Sequence, residues 1–334
     1  MARGLAIDLG TANTLVWLEG KGLVFNEPTV LAVDQRSGEV LAMGHEAYAM
    51  IGRTPGHIVA ERPLRAGAVT SFDETAKLLS LLFRRVRSSR IARFSKPRAL
   101  ICVPSAVTNV ERRAVEEAAE EAGANGAFLM EEAMAAAIGA GLPVHEPFGS
   151  MVVDVGGGTS EVAVVALGGI VTAKAVRIGG FDFDAAIQRY IRDQYALAIG
   201  ERTAEEIKLA VGSAYPQAEE LKAEIRGREL ASGLPQVVTI GGAEIRTAID
   251  DSIGTIVDAV LDTLAECPPE LTQDILERGM WLVGGGALVR GLDARIAQET
   301  GVVVNLIEQP LEAVVTGAGA VIDAFDDVGK LFQS

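Results

Sequence analysis

The sequence predicts an α/β fold built from two related halves, each a mixed β-sheet flanked by helices, and three observations predict it. An apolar strand ending in aspartate and a glycine turn occurs twice: AIDLGTANTLVWLEGKGLV begins at Ala6 and VVDVGGGTSEVAVVALGGIV at Val152, so that aligning Asp8 with Asp154 also aligns Gly10 with Gly156. After each copy, strand-like and helix-like patterns alternate. A third glycine cluster, WLVGGGALVRG from Trp281, again follows a short apolar strand and precedes a helix-like segment. Repetition at domain-sized separation implies two similar halves.

The stretch 151–166, MVVDVGGGTSEVAVVA, sets the chemistry. It reads as a β-hairpin whose glycine turn can hold a phosphate, because glycine permits close backbone approach and successive N–H groups can converge as anion donors. Asp154, at the strand's end, would face a metal ion carried by that phosphate. Two such hairpins imply two halves gripping one nucleoside triphosphate and its divalent cation from opposite sides. The third glycine cluster is expected to let the backbone approach the adenosine.

In chain order, apolar segments 15–18, 23–25 and 30–33, punctuated by Gly20, Gly22 and Pro28, continue the first hairpin as an antiparallel meander. Residues 40–69 are loop-rich and read in part as a small insertion. Segment 72–86 has apolar residues at helical spacing, with Asp73 and Glu74 complementing the dipole at its start. A strand at 99–103 ends at Pro104, Asn109 is the expected N-cap of a helix reaching Gly123, and a strand at 127–130 leads into the small-residue helix EEAMAAAIGAG, suited to crossing closely against a neighbour. The second half repeats the plan: a meander over 151–176, a helix over 183–195, a polar interruption over 200–246, helices from Ile249 and Pro268, strands at 280–283 and 302–307, and a closing helix over 311–324. The expected division is 1–148 plus 312–334 as one domain, with an insertion at about 30–70, and 149–311 as the other, with an insertion at about 185–246.

Composition narrows the function classes. At 334 residues and 49% hydrophobic content the chain forms well-developed cores. A net charge of −15 argues against nucleic-acid binding. Two cysteines, Cys102 and Cys267, favour a reducing compartment over a disulfide framework. His45, His57 and His145 are too scattered to form a metal site, so the cation is expected to arrive with the nucleotide. The first strand begins at Leu5, leaving no room for a signal peptide, and no apolar run approaches the ~20 residues of a spanning helix, which points to the cytosol.

The ordered hairpins, the third glycine cluster and a small-residue helix in each half resemble the actin, heat-shock-chaperone and sugar-kinase ATPase superfamily, and within it the MreB family of bacterial actin homologues. The likeness runs along the chain through IDLGTANTL, NEPTV, IGRTPGHI, ICVPS, VERRAV, AAAIGAGLPVHEP, GERTAE, CPPEL and LVGGGALVRGLD. It implies an actin-like fold, ATP and Mg²⁺ as ligands, self-assembly into filaments supporting cell shape and cell-wall growth, slow ATP hydrolysis, and cell-wall synthesis or division proteins as partners. It implies that Asp8, Gly10, Thr11 and Asn13 form the first phosphate loop and Asp154, Gly156, Gly157, Gly158 and Thr159 the second, with Asp8 and Asp154 holding Mg²⁺ through water. Gly284, Gly285 and Gly286 would line the adenosine, Glu205 and Lys208 would border base and ribose, and Glu132 would orient the attacking water. By spacing alone Glu205 and Lys208 also read as a solvated i, i+3 ion pair, and Glu132 as a first-turn acid serving the helix dipole.

Two departures from the family pattern stand out: Ala133 occupies the place of a proline that would fix φ after Glu132, and GGFDFD at 179–184 is more apolar than usual. The family meets membranes through an N-terminal amphipathic helix or an apolar loop, and the loop expected here is RRVRSSRIARFSK, with Ile91 and Phe94 among basic residues suited to an anionic leaflet. That places the protein in the cytoplasm, peripheral to the inner face of the membrane. The competing class is a small-molecule kinase, which would need an aspartate base beside the γ-phosphate where this chain offers Glu132. A chaperone ATPase would carry a substrate domain beyond the point where this chain ends.

Overall fold

The computed structural model describes residues 4–65, 68–69, 72–88 and 96–325. The segment carrying Ile91 and Phe94 lies outside them.

The first half opens with the meander β1 (Gly4–Leu9), β2 (Asn13–Leu18) and β3 (Gly22–Pro28). The stretch that reads as loop-rich forms a sheet of its own: β4 (Leu31–Asp34), β5 (Glu39–Met43) and β6 (Ile58–Glu61), with α1 (His45–Met50) between the last two. Its small core of Val30, Ala32 and Ala47 has too few large side chains to announce itself in the sequence. A short ladder, β7 (Leu64–Arg65) and β8 (Ala68–Val69), leads to α2 (Phe72–Ser88), followed by β9 (Arg98–Val103), α3 (Asn109–Glu121), β10 (Ala127–Glu131) and α4 (Glu132–Gly139). The cap of α3 is Thr108, one residue before the expected Asn109: its hydroxyl accepts from Glu111 N, and the Glu111 carboxylate accepts from Thr108 N at 2.8 Å. The Thr-x-x-Glu spacing forms a capping box that Asn109 could not.

The second half contains β11 (Ser150–Val155), β12 (Ser160–Ala166), β13 (Gly169–Val176) and α5 (Gly180–Tyr195). The polar interruption is ordered as β14 (Leu197–Ala198), α6 (Glu201–Val211), β15 (Lys222–Glu229) and β16 (Pro235–Gly241), with the strands forming a second small sheet. Helix α7 (Gly242–Glu266) starts seven residues before the expected Ile249, because Glu244 reaches back to accept from Gly241 N at 2.9 Å and so starts the first turn early. Then come α8 (Pro269–Arg278), β17 (Met280–Val283), a 3₁₀ turn at Gly285–Leu288, α9 (Leu292–Thr300), β18 (Val304–Leu306) and α10 (Ala313–Asp323).

The two large sheets have one topology. Their orders are β10-β9-β1-β2-β3 and β18-β17-β11-β12-β13, antiparallel through each meander and parallel beyond β1 and β11. Asp8 and Asp154 are therefore equivalent positions on the central strands. The sheets meet over a shared core in which Ala6, Leu100 and Cys102 from one and Val152, Ala163 and Val283 from the other surround the alanines of α4 and α10. Those helices touch backbone to backbone: a Cβ on Gly139 would lie 1.8 Å from Ala313 O, and one on Gly317 would lie 1.8 Å from Ala135 O. The close crossing expected of the small-residue helix is therefore made with α10. No described helix is long and apolar enough to cross a membrane.

Candidate functional site

A cavity of about 350 Å³ opens between the two sheets where β1 and β11 end. Among its lining residues are Asp8, Gly10, Thr11, Asn13, Glu132, Asp154, Gly156, Gly157, Thr159, Glu205, Lys208, Gly284, Gly285 and Gly286. Gly158 instead lines a neighbouring cavity, with Thr11, Arg62 and Phe181. Residues from sequence positions 8 to 286 thus converge on one space, as expected from the duplicated hairpin.

Each glycine turn is held by neighbours that fix its direction. In the first, Thr29 donates from its hydroxyl to Gly10 O at 2.7 Å and from its backbone to Ala12 O at 2.8 Å. In the second, Gly156 N closes the turn on Thr159 O at 2.9 Å, while the carbonyls of Gly156 and Gly157 accept from Gly180 N and Phe181 N at the start of α5. A trans peptide points its N–H opposite to its carbonyl, so the N–H groups of Gly157 and Gly158 are directed away from α5. The two turns touch, and a Cβ on Gly157 would lie 2.5 Å from the Ala12 Cβ.

The third cluster has a structural duty beyond the one expected of it. Gly284 has φ +81° and a Cβ there would lie 2.2 Å from Asp154 Oδ1; a Cβ on Gly286 would lie 2.1 Å from Val155 Cγ1. Two of the three glycines are required for the 3₁₀ turn to pack on the end of β11, and the same turn then lines the cavity.

Three carboxylates, Asp8, Glu132 and Asp154, line the floor, and a fourth, Glu161, is buried beside Asp154. Burial, and then the charge of Asp154, pushes Asp8 up to about 7; burial, and then the charge of Glu161, pushes Asp154 up to about 7. Glu132, at the first position of α4, is raised well above the usual range by burial and by Asp8, Glu161 and Asp154 in turn. Glu161 is raised by burial, against hydrogen bonds from Ser105 that lower it. Cys102, beside Asp8 on β9, is an inert thiol whose proton is held by burial and by the same charges. Among the described residues, no three His, Cys, Asp or Glu side chains stand close enough to hold a metal ion by themselves. A cation here would take its remaining ligands from phosphate oxygens and water, a donor set suited to Mg²⁺.

Glu205 and Lys208 do not form the solvated pair that their spacing allows. Lys208 Nζ binds Asp184 Oδ1 at 2.8 Å and donates to Gly180 O at 3.0 Å, whereas Glu205 accepts from the Tyr48 hydroxyl. Tertiary partners outcompete the i, i+3 contact because both residues face the cleft rather than solvent.

Sequence reasoning missed Glu161, Tyr48 and Arg62. Glu161 is 3% exposed on β12, its Oε1 accepts from Ser105 N at 3.0 Å and its Oε2 has no hydrogen-bond partner. A signal existed: the hairpin alignment that matches Asp8 to Asp154 sets Glu161 on Leu15, a charge where the first copy is apolar. Tyr48, with Glu205, and Arg62, which pairs with Glu201, make contacts 157 and 139 residues apart, and no local pattern encodes those.

A family model described as MreB/Mbl protein matches residues 2–330. The chain is 52% identical over 334 residues to the cell shape-determining protein MreB of Escherichia coli K12, covering 98% of this chain and 96% of the relative. It is 46% identical over 329 residues to the cell shape-determining protein Mbl of Bacillus subtilis 168, covering 98% of each. Its structure is similar to that of MreB5 of Spiroplasma citri bound to ADP, with a TM-score of 0.94, 34% identity and 99% of each chain covered. A MamK double helical filament matches at TM-score 0.81 and 20% identity, over 96% of this chain and 98% of that one, a likeness of fold alone.

Proposed function

The chain belongs to the MreB/Mbl protein family, and from that premise we propose that it is an actin-like cytoskeletal protein that binds Mg²⁺ and ATP between its two halves and polymerises into filaments that support cell shape. The observation that carries the reading is the placement of Asp8 and Asp154 at equivalent ends of two like sheets, facing one cavity between two glycine turns. The relatives of known structure include MreB5 bound to ADP and to AMPPNP, which supports a nucleotide in this cavity. The curated relatives are cell shape-determining proteins, which favours assembly over the small-molecule kinase alternative.

In this reading the two turns receive the phosphates, the 284–286 turn and Leu288 flank the base, and α6 borders the ribose. A divalent cation, when bound, supplies positive charge to the phosphates and to the floor of the site. Asp8 and Asp154 orient its water ligands, and their repulsion in its absence makes the site selective for a cation-carrying ligand. Glu132, at the first position of α4 and on the cavity wall, orients the attacking water for slow hydrolysis. The division into 1–148 plus 312–334 and 149–311 follows the two sheets, with α10 returning to pack on β1 and β2. Filaments would lie in the cytoplasm at the inner face of the membrane, held through Ile91 and Phe94, and would meet cell-wall synthesis or division proteins there.

Calorimetry with Mg²⁺ and ATP tests the reading. Asp154→Ala should weaken binding at least tenfold, about 1.4 kcal/mol, and sedimentation and electron microscopy should show ATP-dependent filaments. Equal affinity in parent and variant, or no polymer with ATP, would overturn it.

A further inference from the structure

One face of α6 is committed to the cleft. Glu201, Glu205 and Lys208 stand at i, i+4 and i+7, a single stripe of the helix. Glu201 takes Arg62 from the segment after β6, and the Arg62 guanidinium also lies 4.3 Å over the ring of Phe181, one of the apolar departures in the sequence. Lys208 is tied to Asp184 and Gly180. Glu205 alone both lines the 350 Å³ cavity and reaches across to the other half, where its Oε2 accepts from the hydroxyl of Tyr48 on α1. The Tyr48 ring is itself covered by the Arg202 guanidinium at 5.2 Å.

This leaves Glu205 with one oxygen occupied and one available. Its Oε1 makes no hydrogen bond within the described residues, and a carboxylate with one oxygen pinned presents the other in a fixed direction. A lone carboxylate oxygen on the wall of a nucleoside cavity selects a hydrogen-bond donor, and on the α6 side of the cavity the ribose hydroxyls are the donors that the reading of this site places there. We propose that Tyr48 is a positioning residue for ribose recognition: by holding Glu205 Oε2 from the opposite side of the cleft, it aims Oε1 at a ribose hydroxyl and sets the preference for ribo- over 2′-deoxyribonucleotides. This rests on the reading of the cavity as a nucleotide site. Because Tyr48 and Glu205 belong to different halves, the same bond ties α1 to α6 across the cleft.

A site built to accept from a substrate hydroxyl discriminates against the analogue lacking it. The test measures dissociation constants of the full chain, at concentrations where it sediments as single chains, for Mg-ATP and Mg-2′-deoxyATP. The parent should prefer ATP. Tyr48→Phe keeps the ring under Arg202 and should reduce that preference by about fivefold or more, the scale of one hydrogen bond, with affinity for the deoxynucleotide little changed. Glu205→Ala should remove the preference, and adding Tyr48→Phe to it should change nothing further, since the two residues act through one bond. A parent that binds both nucleotides without preference, or a Tyr48→Phe protein with the parent's preference, overturns the assignment of Tyr48. A parent that binds neither overturns the nucleotide reading beneath it.

Discussion

Replacing Asp154 by asparagine should act in opposite directions on the empty and the liganded protein. The carboxyl is 8% exposed, and burial together with Glu161 moves its pKa from 3.8 to about 7. A folded-state value above the unfolded one means that stability is lost as pH rises from the unfolded value through the folded one, and the loss is complete above about 7. At about 1.36 kcal/mol per pH unit between the two values, ionised Asp154 destabilises the empty protein by roughly 4 kcal/mol. An amide in its place carries a burial cost of about 1–3 kcal/mol when incompletely paired. The net expectation is a gain of about 2 kcal/mol at pH 8, or about 4 °C in Tm at roughly 2 °C per kcal/mol for a chain of this size. At pH 5 the parent group is largely protonated in the folded state, the destabilisation falls to roughly 1.6 kcal/mol and the gain should vanish. Thermal unfolding without nucleotide at the two pH values measures this directly. A lower Tm for Asp154→Asn at pH 8, or a difference that does not change with pH, would refute the argument that the floor of the site is strained by charge.

Three further outcomes are expected. Glu132→Ala should slow phosphate release from ATP while leaving nucleotide affinity nearly unchanged, because the residue acts on water in the transition state; equal turnover would assign the water to another group, with Glu161, whose Oε2 has no hydrogen-bond partner, the first to examine. Gly317→Ala places a methyl against Ala135 O and Gly139 N, and should cost about 1–3 kcal/mol by overpacking, read as a Tm lowered by a few degrees; an unchanged Tm would mean the helices separate freely. The double change Ile91→Ser, Phe94→Ser should abolish co-sedimentation with anionic liposomes while filaments persist in solution, since repeated weak anchors along a polymer act together; unchanged co-sedimentation would place the anchor elsewhere.

The parts of this molecule legible from sequence are those encoded locally or by repetition. The Asp8 and Asp154 hairpins were readable because two copies share spacing, and the structure puts both on one cavity. The close crossing of α4 was readable from its run of alanines, although α10 as its partner was not. The second small sheet was hidden because, although burial alternates along β15 and β16, each strand buries only one side chain fully, Ile225 and Ile240, and the remaining positions carry too little apolar bulk to stand out from a polar stretch. Glu205 and Lys208 were found as residues, but the local spacing that suggested an ion pair lost to Tyr48 across the cleft and to Asp184 on the neighbouring α5, contacts that no local pattern encodes. Glu161 was not legible because it lies on the strand beyond the turn, a single charge in a wholly buried strand, and its partner Ser105 belongs to the other half.

The cavity lies between two structures of contrasting chemistry, and the contrast bears on how a ligand could move the halves. At its base, α4 and α10 cross through glycine and alanine backbones, Gly139 against Ala313 and Gly317 against Ala135, so little side-chain bulk stands between them at the crossing. At its mouth, Arg62 with Glu201 and Tyr48 with Glu205 bridge the two halves through long polar side chains that can part and rejoin. Between them Asp8, Glu132 and Asp154 line the cavity, with Glu161 buried beside Asp154, and their mutual repulsion when ionised opposes closure until a cation is present. A ligand bringing a divalent cation and phosphates would relieve that repulsion, and a ribose would occupy the free oxygen of Glu205. Both terms favour the closed arrangement only when nucleotide and metal arrive together, which is the differential affinity that a nucleotide-driven change of shape requires.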